Sequence, residues 1–137
     1  METEGVFDPE TLADAREAYE SVGPAAQTVV REVATAMDFD RPEYQERVTS
    51  DVVETARDAL FASLLTVTVA DREAFDAWRE DADVTVTVLG SQDVDRVVWH
   101  VAPFADEAVA ATFENERDAA VATLRRQAFG RLYADRL

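Results

Sequence analysis

Cysteine, lysine and isoleucine are absent from this chain of 137 residues, and histidine occurs once, at His100. Without cysteine the protein can form no disulfide framework, no cysteine-ligated zinc or iron–sulfur site and no cysteine nucleophile. Glycine occurs only four times, and the spacing of these glycines fits neither a P-loop nor a dinucleotide-binding fingerprint. The sequence therefore excludes cysteine chemistry and nucleotide enzymes of these two types.

Long apolar runs are also missing. No window approaches 18 consecutive apolar residues, and the first ten residues lack the basic segment and apolar run of a secretory signal. The length suits one domain that buries roughly two thirds of the surface of its unfolded chain. We therefore expect a single domain over residues 1–137, soluble, cytoplasmic and without membrane contact.

Negative charge dominates the composition. There are 29 Asp and Glu against 13 basic residues, all of them Arg, for a formal charge of −16. A hydrophobic content of 47% argues against a disordered acidic tail. The combination is typical of salt-accumulating haloarchaea, since molar KCl shortens the Debye length to roughly 3 Å and removes the self-repulsion. We interpret the many neighbouring carboxylates as solvated surface, and we expect no metal or cofactor.

The hydrophobic pattern up to residue 64 is helical. A first helix is expected near residues 9–22, and apolar residues then recur at helical spacing from Val29 to Met37. Two further helical segments follow from capping sequences. The capping or breaking residues are Asp8 with Pro9, Gly23 with Pro24, Asp40 with Pro42, and residues 49–51.

Residues 65–102 follow a different pattern, because the hydrophobic period falls from 3.6 to 2 residues. Valine alternates with threonine on both sides of a short helix that Asp71 would cap. A third strand contains Trp99 on the face of Val97 and Val101, and its apolar residues on both faces favour a central position. We expect this strand to lie between the other two, with a split crossover and an antiparallel hairpin of the last two strands.

The pattern returns to helical over residues 105–134, with a break expected at Glu114–Glu116. The predicted fold class is α+β. N-terminal helices complete the core of a three-stranded sheet, and one or two C-terminal helices cover one face of that sheet.

Four segments carry a resemblance that spans the whole chain. They are REVATAMDF, ERVTSDVVETARDALFASLL, VDRVVWHVAPF and LRRQAFGRLY. Together they resemble a small haloarchaeal family known only as a domain of unknown function. The resemblance agrees with the salt argument, and it implies no reaction, ligand or site residue.

One candidate site lies on the predicted sheet. None of the four serines sits in a Gly-x-Ser-x-Gly setting, and no metal-binding spacing surrounds His100. A polar face without carboxylates could still bind a small anion, with His100 as acid–base and Arg96 as anion clamp. The alternative is an ordinary solvated face with a structural histidine. The six residues of this candidate face are Thr66, Thr68, Thr85, Thr87, Arg96 and His100.

A second candidate lies on the C-terminal helix. Residues 117–137 hold five Arg and two Asp, a local charge of +3, against −19 for the rest of the chain. Arginine and tyrosine are frequent contact residues in protein interfaces. Alternatively, these cations pair with the acidic body near a helix C-terminus and Phe129 belongs to the core. The candidate interaction residues are Arg125, Arg126, Phe129, Tyr133 and Arg136.

We expect a small, halophilic, non-enzymatic protein that acts by association with a protein partner or a second copy of itself. A small-ligand binder or enzyme built around His100 is the alternative. Nucleic-acid binding is disfavoured, because five arginines without a wider basic surface contribute little in high salt and no helix-turn-helix pattern is visible.

Overall fold

Six α-helices and five strands form the fold of residues 1–137, all of which the computed structural model describes. The strands are β1 (Glu2–Glu4), β2 (Val67–Asp71), β3 (Thr85–Leu89), β4 (Arg96–Ala102) and β5 (Glu107–Phe113). The α-helices are α1 (Leu12–Ser21), α2 (Gly23–Ala36), α3 (Arg41–Arg47), α4 (Ser50–Ser63), α5 (Arg72–Asp81) and α6 (Arg117–Ala128). A 3-10 turn at Pro103–Ala105 precedes β5, and a π-helical turn at Phe129–Tyr133 extends α6. The α+β class is confirmed.

Side-chain caps explain where several helices begin. Asp40 accepts a hydrogen bond from the Glu43 N–H at 3.0 Å, and Asp71 accepts one from the Ala74 N–H at 2.8 Å. Thr49 caps α4 in the same way, at 3.3 Å from the Val52 nitrogen. The predicted starts of α3, α4 and α5 are thereby confirmed, since each cap satisfies an N–H that the first helical turn leaves free.

The first helix begins later than predicted. Thr11 caps α1, accepting the Asp14 N–H at 3.0 Å, whereas Asp8 still belongs to the extended segment in which Phe7 bridges to Leu65. Pro24 opens α2 rather than only closing α1, because a proline in the first helical turn removes an N–H that has no partner there.

The sheet has the order β1-β2-β4-β5-β3. β4 is central and antiparallel to both β2 and β5, and β3 pairs with β5 in parallel. The central position of β4 is confirmed. The β2-α5-β3 connection is a split crossover, but two strands, β4 and β5, separate its ends where one was expected. The three-stranded sheet is wrong, and so is the expected hairpin, because β4 pairs with β5 and not with β3.

The missing strand β5 lies in the segment that was expected to be helical. Alanine is the best helix former, so EAVAATF follows a helical preference when it is considered alone. In the folded chain Ala108, Val109 and Ala110 are buried between β4 and β3, and their pairing with both neighbours overrides that local preference.

Two apolar cores lie on opposite faces of the sheet. The larger core is enclosed by α1, α4 and α6 and centres on Phe61, whose ring lies 5.3–5.8 Å from four other aromatic rings. The smaller core lies under α5, where Phe75, Trp78 and Trp99 stack with ring centroids 5.1–5.8 Å apart. The predicted burial of Trp99 beside Val97 is confirmed.

Candidate functional site

The six residues of the predicted polar face do not share one face of the sheet. Thr68 lies opposite Trp99 in the register and therefore faces α5, whereas His100 faces the larger core. Thr66 precedes β2 and contributes its backbone carbonyl. On β3, Thr85 and Thr87 alternate with Val86, and Thr87 lies opposite Val109 on the side of the larger core. The prediction of a shared face is wrong, because the threonines of β2 and β3 project to opposite sides.

His100 is buried between the sheet and the π-helical turn at Phe129–Tyr133, which we call the C-terminal turn, and its exposed fraction is 1%. Its Nδ1 lies 2.6 Å from the Thr66 carbonyl oxygen, and its Nε2 lies 2.6 Å from the Tyr133 hydroxyl. Because a carbonyl can only accept, Nδ1 carries the hydrogen and Nε2 accepts the Tyr133 O–H. Both ring nitrogens are thus satisfied by the neutral imidazole.

Burial lowers the pKa of His100 below its ordinary value of 6.5, against the smaller opposing effect of its bond to Thr66. Burial likewise raises the pKa of Tyr133 above its usual range. His100 lines none of the main surface grooves. The geometry therefore supports a structural histidine that joins β4 to the C-terminal turn, and it gives no support to an acid–base role.

Arg96 lies apart from His100. The two residues share a face of β4 but are four positions apart, which corresponds to about 13 Å along a strand. The Arg96 guanidinium lies 5.6 Å over the Phe113 ring, beside a shallow groove that Asp71 and Asp95 also line. No common pocket brings Arg96 and His100 together.

Three of the predicted interaction residues are buried or hydrogen-bonded within the chain itself. The Tyr133 side chain is fully buried, so its assignment as a candidate interaction residue is wrong. Arg125 Nε donates to the Leu65 carbonyl at 2.9 Å, and Arg136 Nη1 donates to the Leu132 carbonyl at 2.8 Å. The Arg125 bond joins α6 to the segment before β2, and the bond between Tyr133 and His100 joins the π-helical turn to β4, whereas the Arg136 bond stays within the C-terminal segment.

Arg126 and Phe129 remain accessible at a groove between α4 and α6. The groove has a volume of about 470 Å³, and Phe129 forms part of its wall while its ring also packs 5.8 Å from that of Phe61. The Arg126 side chain is exposed, and its only side-chain bond is to Thr123 at 3.4 Å. Of the five predicted residues, Arg126 and Phe129 line this groove, and so does Arg125, whose guanidinium is also bonded to the Leu65 carbonyl.

A larger apolar groove, which sequence analysis did not identify, lies on the other side of α4. It has a volume of about 590 Å³ between α2, α3 and α4. Several of its apolar side chains are between 42% and 59% exposed. Arg47 is the only charged residue on its wall. We call this surface the helical groove; its most exposed apolar residues are Val29, Val33, Met37 and Val52.

The pattern of α2 contained a sign of this groove. Ala26, Val30 and Ala34 are spaced by four residues and are buried, while Val29, Val33 and Met37 are spaced by four and exposed. One buried stripe is enough to dock a helix onto a domain. A second apolar stripe on the same helix is the sequence feature that could have indicated a contact surface.

No helix of the structure is both long enough and apolar enough to cross a membrane. No group of His, Asp and Glu side chains has an arrangement that could hold a metal ion. A family model described as "Family of unknown function (DUF5809)" matches residues 6–134. No curated protein and no solved structure matches the chain.

Proposed function

We propose that this chain, which belongs to the family of unknown function DUF5809, is a non-enzymatic protein that acts by binding another protein. The observation that carries the proposal is the helical groove. Scattered exposed apolar residues are ordinary on a protein surface, but a contiguous apolar patch lining a groove marks an interaction site. Ten of the twelve residues that line this groove are hydrophobic.

The groove suits an amphipathic helix. It is lined mainly by α2 and α4, and its lining includes the small residues Ala34, Ala56 and Ala59, which leave room for larger side chains from outside. Helix-in-groove binding uses apolar anchors spaced at three and four residues on the incoming helix. We propose such a helix, from a different protein, as the occupant.

The positive charge of Arg47 at the helical groove indicates which charge the incoming helix should carry. Arg47 lies on the wall, with its guanidinium 5.7 Å from the Phe39 ring centroid. An incoming helix with a carboxylate at the matching end would pair with Arg47 at short range. Removing apolar side chains from water contributes about 25 cal/mol per Å² of buried area, so the apolar anchors supply most of the affinity.

We propose that this association takes place in concentrated salt, in the cytoplasm of a haloarchaeon. The support is compositional: a charge of −16, no lysine and thirteen arginines. With charges screened beyond roughly 3 Å at molar ionic strength, long-range attraction contributes little. Apolar burial persists under these conditions, which agrees with a binding surface built from valine, alanine and methionine.

The groove between α4 and α6 is a second candidate contact. It includes Arg126 and Phe129 and shares Ala59 with the helical groove, so α4 forms a wall of both grooves. A partner that covers α4 would reach both surfaces. This arrangement keeps the predicted interaction role of the C-terminal helix, reduced to these two residues.

The test compares two valine variants in molar KCl. Val33→Glu places a charge in the helical groove, and Val6→Glu places the same charge on an exposed valine outside it. Affinity purification from the native cell should yield a protein that the wild type and Val6→Glu retain and that Val33→Glu loses. Circular dichroism confirms that both variants fold. Identical sets of bound proteins for all three chains would contradict the proposal.

A further inference from the structure

The two edge strands of the sheet, β1 and β3, differ in how well they are protected against pairing with a further strand. β1 is only three residues long and includes Glu2 and Glu4, both within ion-pair distance of Arg117. Short strands and charged side chains are devices that block the addition of another strand. β3 has the sequence TVTVL, with no charge, no proline and no interruption in its register. This edge has none of the usual protection.

The backbone of β3 has free hydrogen-bonding groups. Thr85 donates its N–H to the Asp106 carbonyl at 2.9 Å, so in the parallel pair with β5 the backbone groups of residues 85, 87 and 89 point towards β5. Those of Val86 and Val88 then point away from the sheet, where no other backbone group bonds them. β3 is the last strand of the sheet and pairs only with β5, while α5 packs mainly on β2 and β4 and α6 mainly on β4 and β5.

We propose that a second copy of the chain pairs with β3 in antiparallel orientation, about a twofold axis at Thr87, to form one continuous sheet across the dimer. In this register Val86 of each copy lies opposite Val88 of the other, and the two Thr87 residues face each other. Antiparallel partners that both point outwards exchange their N–H and C=O groups. Val86 and Val88 lie symmetrically about Thr87, so the free groups of one copy match those of the other.

Charge does not oppose a second copy in this register, although each copy carries −16, because molar salt screens the net repulsion between the copies. No residue of β3 is charged, and Asp83 lies opposite Ser91 of the second copy, so no like charges meet across the strands. Val86 and Val88 pack against the smaller core that contains Trp99. Pairing the valines of two copies would extend that apolar cluster across the interface.

This dimer uses a different surface from the helical groove, so the two proposals can fail separately. Val33→Glu, which disrupts the helical groove, should leave the dimer intact. The dimer itself is tested by light scattering of the full chain in molar KCl, where the wild type should show the mass of two chains. A monomeric wild type overturns the proposal.

A cysteine pair tests the register, because the native chain contains no cysteine. At the expected axis, two copies of Thr87→Cys would have Cα atoms about 4.5 Å apart, within the range of a disulfide. Thr85→Cys is the matched control, since residue 85 lies opposite Leu89 and two such cysteines would be about 13 Å apart. Mild oxidation should give a covalent dimer for Thr87→Cys alone. No covalent dimer, or equal amounts for both variants, overturns the proposal.

A proline variant tests the backbone bonds. Val88→Pro removes an N–H that makes no bond within the chain, as is tolerated on an edge strand, whereas Val88→Thr keeps it. Half of the backbone bonds between the copies depend on the N–H of Val88, so Val88→Pro should raise the dimer dissociation constant at least about tenfold. Val88→Thr should remain dimeric. Equal dissociation constants for folded Val88→Pro and Val88→Thr overturn the proposal, and the cysteine pair decides the matter if Val88→Pro does not fold.

Discussion

Several arginine side chains join separate segments of the chain by donating hydrogen bonds to backbone carbonyls. Arg57 Nε donates to the Tyr19 carbonyl at 3.0 Å, and Arg72 Nη2 donates to the Val94 carbonyl at 2.9 Å. Arg125 makes the corresponding bond to Leu65. The planar guanidinium has five donors in fixed geometry, which lysine lacks, and such short contacts do not depend on long-range attraction. At these three positions the choice of arginine therefore has a reason in the fold itself.

The buried His100 predicts a loss of stability in acid. Its folded pKa lies below 6.5, so as the pH falls the unfolded chain binds a proton before the folded chain does. The contribution of the neutral histidine is complete above about pH 6.5 and is lost as the pH falls towards the folded pKa. The expected slope approaches about 1.4 kcal/mol of unfolding free energy per pH unit.

Nuclear magnetic resonance isolates this effect from the carboxylates, since the chain has one histidine and its ring signals are unambiguous. We expect the His100 ring to stay neutral, with its hydrogen on Nδ1, from pH 7 down to a value clearly below 6.5. A ring that titrates at its ordinary value would show that the bonds to Thr66 and Tyr133 do not hold it in the core.

Among the helices and strands, the predicted features that depend only on neighbouring residues in the sequence are the ones that the structure confirms. The caps at Asp40 and Asp71 and the alternation around Trp99 each belong to one short segment, and all three are confirmed. β5 was missed because its alanines prefer helix locally and become strand only between β4 and β3. The side of the sheet on which Thr68 lies was missed for the same reason. It is set by the register between β2 and β4, which neither segment reveals alone.

The site shows the same limit. Tyr133 was expected to contact a partner, but it ends the π-helical turn at Phe129–Tyr133 with its side chain in the core, where His100 accepts its O–H. That contact joins residues 33 positions apart. The helical groove was missed because the spacing from Val29 to Met37 predicts a helix whether that stripe faces the core or the solvent, and only tertiary packing buries the Ala26, Val30 and Ala34 stripe instead.

The central strand β4 provides a test of the smaller core. Trp99→Ala removes a side chain that is only 2% exposed and that contacts both Phe75 and Trp78, so unfolding should become easier by about 3 to 5 kcal/mol. Trp78→Ala, at a half-buried position of the same cluster, is the matched control and should cost less. Denaturant titration in molar KCl measures both. Equal midpoints for Trp99→Ala and the wild type would contradict the position of Trp99 in the core.

The whole molecule leaves most of its charge uncompensated. Ion pairs form only at Arg117, which contacts Glu2, Glu4 and Asp118, and at Arg136, 3.9 Å from Glu107. Exposed pairs of this kind contribute little to stability. The remaining carboxylates repel one another across the surface, so we expect the fold to need a solvent that screens them.

Salt dependence is therefore the prediction that belongs to the molecule as a whole. When KCl falls from molar to millimolar concentration, the Debye length grows from roughly 3 Å to more than about 30 Å, and repulsion that was local extends over the whole domain. The thermal midpoint measured by circular dichroism should fall steeply, or folding should fail. A matched variant with Glu32→Gln, Glu46→Gln and Glu54→Gln removes three exposed charges from the helical surface and should need less salt to reach the same midpoint. If the wild type and this variant instead showed one midpoint at both salt limits, the acidic surface would have no role in stability. The proposal of a protein adapted to concentrated salt would then have to be abandoned.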